Sequence, residues 1–279
     1  MEAPQVSVVV PTRDRPEGLA RCLAALERQA CAGRLEIVVV DDGSQDGRQL
    51  EARVSRAPSA RYLRLGGVGP AAARNAGVRT ARASLICFTD DDCEPDPTWA
   101  ARLVGAIRAG AVSAAGPTRI ASSADPLGHA TQLIVDHLIE SSRRSPELVG
   151  FAPTSNLACR TEVMREVPFD EGYPSYGEDR DWCARLLVAG HPLHWVPGAI
   201  VLHHQQLDLP RFVRKHVQYG EGAYRFRHSN PAFGRLEPPD FYVGLLRSAA
   251  GHGATIAAAV CLAQVATAAG FAAQAISGR

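Results

Sequence analysis

Leu85-Ile86-Cys87-Phe88-Thr89-Asp90-Asp91-Asp92-Cys93-Glu94-Pro95-Asp96-Pro97 is an apolar run that stops at three consecutive carboxylates and then meets two prolines. Buried parallel strands read as continuous apolar runs, and open α/β sheets gather ligands beyond the carboxyl ends of their strands. The run therefore predicts a central strand with Asp90, Asp91 and Asp92 at its functional end. Three adjacent carboxylates repel one another unless a cation or hydrogen-bond donors hold them, and oxygen ligands suit Mg2+ or Mn2+. Taken in isolation the triplet reads as a solvated acidic turn; the stretches around it favour a metal site that carries phosphate.

Upstream, Gln5 to Val10 is a β-branched run closed by Pro11, and the periodic stretch Pro16 to Gln29 opens with a proline suited to a first helical turn. Leu35 to Val40 repeats the strand signal and ends in Asp41-Asp42-Gly43-Ser44, with Ser44 expected to cap a helix to about Arg56. Arg61 to Leu65 reads as a third strand, and the glycine turn Gly66 to Pro70 leads into a helix, Ala71 to Ala81, that carries Arg74 and Asn75. Strands alternating with helices imply right-handed crossovers and a Rossmann-like, mostly parallel α/β sheet. Both acidic strand ends and the Arg74 helix should then face one crevice.

Downstream the alternation turns irregular. Pro97 opens a helix to about Ala109, Val112 to Ala115 is a short strand, and Pro126 to Ser141 is a helix before the basic pair Arg143-Arg144. Thr154 to Cys159 reads as a strand, and Gly177-Glu178-Asp179-Arg180-Asp181-Trp182 starts a helix through Ala189, where carboxylates suit the dipole. His194 to His204 reads as two strand pieces ending in paired imidazoles, and Leu209 to Arg227 as a basic helix. From Ser248 to Gly278 there is no Asp, Glu, Lys or Arg, and alanine dominates.

Composition narrows the class. The 279 residues can bury a sizeable core, and 46% hydrophobic with 21% charged residues and a net charge of +1 argue against disorder and against a nucleic-acid partner. Seven cysteines without a Cys-x-x-Cys pair argue against a zinc module or disulfide framework and for a reducing cytoplasm. The first apolar run, Val6 to Val10, is too short for a signal peptide, so the catalytic part is expected inside the cell. Gly67-x-Gly69-x-x-Ala72 with Asp90 downstream matches a dinucleotide fingerprint weakly, because the first turn, Pro11 to Pro16, has no glycine.

In this order the motifs Val8-Val9-Val10-Pro11-Thr12, Val40-Asp41-Asp42-Gly43-Ser44, Ala73-Arg74-Asn75-Ala76-Gly77, Thr89-Asp90-Asp91-Asp92 and Gly177-Glu178-Asp179 resemble a family 2 glycosyltransferase of the GT-A fold, over about Val6 to Tyr224. The resemblance implies that Pro11, Thr12, Asp42 and Arg74 cradle a nucleotide base. Asp90 would lie near ribose and metal, Asp91 in a variable position, and Asp92 would be the principal ligand of Mn2+ or Mg2+, helped by His203 or His204. Asp179 would be the general base and Glu178 would orient the acceptor. The stretch Gly150 to Asn156 would border the donor sugar, and Trp99 and Trp182 read either as faces that stack a sugar ring or as core aromatics.

The implied activity is metal-dependent, inverting transfer from a nucleoside diphosphate sugar (UDP-, GDP- or dTDP-linked) to a hydroxyl of a glycan, lipid or small molecule, in a setting such as cell-envelope polysaccharide synthesis. A nucleotidyltransferase would want a glycine-rich basic phosphate loop after the first strand, which is missing. A silent sugar-nucleotide-binding protein would not need Asp179. Residues 1–235 are expected to form the catalytic domain and 236–279 an Ala-rich helical tail. That tail is open to three readings: docking on the enzyme, lying at the inner face of the cell membrane, or spanning it. Arg211, Arg214, Lys215, Arg225 and Arg227 would suit an anionic membrane or a lipid diphosphate.

Overall fold

The computed structural model describes residues 4–30, 35–122, 125–234 and 236–278. The extreme N-terminus, residues 1–3, and position 235 at the expected boundary lie outside the described residues. Strands β1 (Val6–Thr12), β2 (Leu35–Asp42), β3 (Ala60–Leu65) and β4 (Leu85–Phe88) alternate with helices α1 (Pro16–Glu27), α2 (Gly47–Val54) and α3 (Pro70–Thr80). Next come β5 (Cys93–Pro95), α4 (Trp99–Arg108), β6 (Ser113–Ala115), β7 (Thr118–Ile120) and α5 (Pro126–Ser141). Then β8 (Arg143–Ser145), β9 (Leu148–Val149), β10 (Leu157–Arg160), α6 (Thr161–Glu166) and α7 (Glu178–Val188) lead to β11 (Leu193–Trp195) and β12 (Val201–His203). Helices α8 (Leu209–Ser229), α9 (Pro239–Gly251) and α10 (Ala254–Ser277) complete the chain.

Among the described residues the main sheet runs β3-β2-β1-β4-β10-β6-β11-β9-β8, beside a small sheet β5-β12-β7. β1 pairs in parallel with β2 and β4, whereas β10 runs antiparallel to β4 and β6. Strand alternation divides the valine runs between the faces. Val8, Val10, Ile37 and Val39 join the core with α1 and α4, while Val9, Val38 and Val40 join the opposite core with α3 and α7. The chain leaves β1 for β2 and β3, then crosses back to β4 on the other side of β1. Such a reversal opens a crevice at the carboxyl ends of the two strands, here at Thr12 and Asp90.

Two boundaries differ from expectation for a local reason. Helix α2 is capped by Asp46, whose carboxylate accepts from the Gln49 N–H at 3.1 Å, and not by Ser44. Ser44 closes the preceding loop: its hydroxyl accepts from the Asp14 N–H and its own N–H donates to Asp41, each at 2.8 Å. Thr154–Asn156 is a 3-10 turn that precedes β10 rather than part of a strand.

Helices α5, α8, α9 and α10 form a separate layer whose core includes Ile134, Phe212, Phe241, Leu245 and Val260. The tail is docked on the rest of the fold. At Gly220 of α8 an added Cβ would lie 2.0 Å from the Thr267 carbonyl, and at Gly270 of α10 one would lie 1.9 Å from the Val217 carbonyl. The two backbones therefore touch directly. By length and composition α10 could also cross a membrane, with 28% of its apolar window buried in the fold.

Candidate active site

Beyond β4 the acidic triplet splits in direction. Asp91 turns inward, its two oxygens accepting from the Thr12 hydroxyl at 2.7 Å and from Arg15 at 3.1 Å. Burial pushes its acid up to about 7 against the pull of Arg15. Asp92 accepts from Arg15 on Oδ2 at 2.7 Å and faces His203 Nε2 with Oδ1 at 3.1 Å. Burial opposes its charge, but His203 and Arg15 hold its carboxyl well below the usual range. Successive residues of an extended strand face opposite sides, so the imidazole pair divides. His203 meets Asp92, whereas His204 turns to Glu94 at 2.9 Å, so of the two His203 is the one beside the acidic triplet.

Asp92, Cys93 and His203 bring ligand atoms within 4.8 Å of one another. Burial pushes the Cys93 thiol well up, and a hard cation prefers oxygen and nitrogen ligands to sulfur. The carboxylate and imidazole that remain form an oxygen-and-nitrogen donor set that fits Mn2+, and less closely Mg2+.

Arg74 links this edge to α7. It is 5% exposed and donates to Asp90 Oδ1 at 3.0 Å and to Glu178 Oε1 at 2.8 Å. Gly177, with φ +103°, adopts a left-handed turn that starts α7 and sets Glu178 and Asp179 at its N-terminus. Burial pushes Glu178 up to about 7, with Arg74 opposing, and burial likewise raises Asp179. Asp179 accepts from the Arg180 N–H at 2.7 Å. Asp181 faces elsewhere, holding Arg185 at 2.7 Å and Asn230 at 2.8 Å, and so ties α7 to the end of α8. Asp42 holds the glycine turn after β3, accepting from the Val68 and Gly69 N–H groups at 2.6 and 2.9 Å.

One cavity of about 1140 Å³ is lined by Pro11, Thr12, Asp42, Arg74, Asp90, Asp91, Asp92, His203, Glu178 and Asp179. Asn156, Trp99 and Trp182 do not reach it. Trp99 is fully buried and donates from Nε1 to Asn156 Oδ1 at 2.8 Å, while Asn156 clamps the Pro117 and Ala199 carbonyls. Trp182 is fully buried against Phe169 and bonds the Val167 carbonyl. Neither indole offers a face to a sugar. Sequence reasoning missed Arg15 as a site residue and read Lys215 only with its basic helix, as a contact for an anionic membrane or a lipid diphosphate. Lys215 lines the cavity, donates to Gln205 at 3.0 Å, and is drawn down to about 8 by burial. Its signal was the lone lysine among arginines on α8; that of Arg15 was its place in the turn after β1.

The sequence pattern of Glycosyl transferase family 2 matches residues 7–167. The chain is 31% identical over 233 residues to a pre-mycofactocin glycosyltransferase of Mycobacterium tuberculosis, covering 78% of this chain and 46% of that protein. It is 29% identical to glycosyltransferase AglE of Haloferax volcanii, covering 78% and 73%, and 26% identical to an N-acetylglucosaminyltransferase of Bradyrhizobium diazoefficiens, covering 80% and 49%. The chain thus spans about half the length of two of these three relatives. In fold it is similar to a mannosyltransferase of Pyrobaculum calidifontis in complex with GDP-Man and Mn2+, with TM-score 0.61, 18% identity, and coverage of 100% of this chain and 80% of the other. It is also similar to S. aureus TarS 1-349 in complex with UDP, with TM-score 0.59, 14% identity, and coverage of 99% and 92%. The matched span takes in β1 to β4 and the acidic ends that open on the cavity, and on that span, more than half of its length, the chain belongs to glycosyl transferase family 2.

Proposed function

We propose that the protein transfers a sugar from a nucleoside diphosphate to an acceptor hydroxyl, with inversion and with a divalent cation. The observation that carries this reading is the Arg74 bridge, which joins the acidic end of β4 to the carboxylates of α7 inside one cavity. A leaving diphosphate and a proton acceptor are needed within one sugar's reach of each other, and this bridge fixes their two supports together. The similarity to structures described with GDP-Man and Mn2+, and with UDP, supports a nucleotide-sugar donor without naming it.

Asp92 and His203 would hold Mn2+ or Mg2+, which when bound supplies electrostatic stabilisation for charge developing on the departing phosphates. Arg15 and Lys215 add positive charge at the same edge. Asp42 keeps acceptor capacity beyond its two backbone contacts, because an ionised carboxylate offers about four lone-pair sites, and a base N–H suits it. Asp179 takes the proton from the acceptor hydroxyl as that oxygen attacks the anomeric carbon and the sugar–phosphate bond breaks on the opposite face. Glu178, bound by Arg74, positions the start of α7 beside it. We assign this chemistry to residues 1–235, with the 236–279 helices closing the cavity, in the cytoplasm at or near a membrane surface.

The test measures donor-nucleotide affinity by calorimetry and turnover by nucleotide release on one preparation. Asp179→Asn should keep nucleotide and Mn2+ affinity and lose about 10²- to 10⁴-fold in turnover, the range of positioned proton transfer. Turnover within a few-fold of the parent would remove Asp179 from the role of base. Turnover that survives chelation would remove the cation.

A further inference from the structure

The cavity continues past the residues that the transfer reaction uses. At about 1140 Å³ it exceeds the roughly 300–1,000 Å³ of ordinary small-molecule sites, which leaves room beside a nucleotide sugar. The additional wall comes from α5, α9, α10 and their connections, chiefly Val135, Phe151, Leu236, Phe241, Val265 and Phe271. Among the described residues, α9 and α10 bring no charged side chain to it. A glycan would need a hydrogen-bonding partner for each hydroxyl it withdrew from water, at a cost of a few kcal/mol for each one left unmet. Glu237, Tyr242, Gln264 and Thr267 are the polar side chains that α9, α10 and the connection before them bring to the lining, against the apolar Leu236, Phe241, Val265, Ala268 and Phe271.

The same wall reaches the surface. Leu236, Tyr242 and Val265 line the cavity and are 70%, 37% and 67% exposed. On α9 the outward face continues through Val243 and Leu246, and on α10 through Leu262, one turn before Val265. The outward stripe of α10, from Thr255 and Ala258 through Leu262, Val265, Ala269 and Ala273, holds no charge at all. Single exposed apolar residues are ordinary, whereas a contiguous patch that runs into a cavity marks where an apolar ligand enters. A second copy of the chain would cover the outer stripe but would leave the inner wall unfilled.

We infer that this part of the cavity is a subsite for an aliphatic chain, so that the acceptor is a lipid. Its hydroxyl lies against Asp179, and its chain passes between α5, α9 and α10 and over the Leu236, Tyr242 and Val265 rim into a bilayer. The inference rests on the transferase reading above. It deepens that reading by selecting among acceptors.

The experiment uses the full chain with Mn2+ and either UDP or GDP, and titrates butyl, hexyl, octyl and decyl β-glucosides below their micelle concentrations by calorimetry. Affinity should rise about threefold to fourfold with each methylene that enters the subsite. Val265→Glu and Tyr242→Glu, both at exposed positions, should flatten that slope while nucleotide affinity stays as in the parent. An affinity independent of chain length, a plateau already at butyl, or an unchanged slope in both variants would overturn the lipid subsite. Nucleotide binding in the same cell separates the two readings. A flat series with nucleotide bound leaves the transferase standing and removes the lipid, and a steep series without nucleotide binding does the reverse.

Discussion

Asp92 has a partner on each oxygen, the Arg15 guanidinium at 2.7 Å and the His203 imidazole at 3.1 Å, so the carboxylate proposed to bind metal is already engaged by the protein. A divalent ion competes with the guanidinium for the charge of that carboxylate, and a bound diphosphate would give that guanidinium another anion. Arg15→Ala is therefore expected to raise Mn2+ affinity measured without nucleotide and to lower nucleotide affinity measured with Mn2+. A fall in nucleotide-free Mn2+ affinity would show Arg15 to be a support of the site instead. The division of the histidines gives a paired expectation: His203→Ala weakens Mn2+ binding, whereas His204→Ala, which loses only its Glu94 contact, leaves it within a few-fold. The pH profile follows from Asp179. Burial raises its pKa above the ordinary aspartate value, and a base acts only when ionised, so turnover should fall with acid earlier than an exposed aspartate would allow. That limb should disappear in the residual activity of Asp179→Asn.

At the scale of elements, the close approach of α8 and α10 is the most exposed to a single change. A Cβ at Gly270 would sit 1.9 Å from a backbone carbonyl, which no rotamer can relieve, so the helix itself must shift. Gly270→Val should cost about 1–3 kcal/mol or more, read as a fall of several degrees in Tm, with α10 displaced from the cavity wall. An unchanged Tm would mean that the helices pack more loosely than described. The same scale explains what could be read beforehand. β1, β2 and β4 were legible because strands buried on both faces must be apolar throughout, and their acidic ends stand out against that background. β8 and β9 are two or three residues long, too short for any period to register. The tryptophans stood between two readings for a related reason. Aromatic type says nothing about which side of an element faces the core, and both indoles proved to be fully buried. The histidine pair could be resolved only by the pairing of β12 with β5, which fixes which imidazole lies toward Asp92.

Across the whole molecule the division of labour follows the cores. Two apolar clusters cover the two faces of the sheet and contain no residue of α10, while a third belongs to α5, α8, α9 and α10. The sheet edge carries Asp42, Asp90 and Asp92, and the helical layer carries the apolar wall with Phe241, Val265 and Phe271. Ending the chain after Gly253 removes α10 alone and leaves both sheet cores whole. Stability should fall, since Ala259, Val260 and Ala263 no longer cover their neighbours in the helical core, but the nucleotide-binding edge should persist. The expected outcome is nucleotide and Mn2+ affinity within a few-fold of the full chain, together with lost transfer to acceptor and a larger share of donor hydrolysed by water, because an opened cavity no longer excludes solvent from Asp179. Calorimetry with UDP or GDP, and nucleotide release with and without acceptor, separate these effects. If the shortened chain shows no folded far-UV spectrum, α10 is part of the folding core, and the sheet edge does not hold nucleotide independently of it.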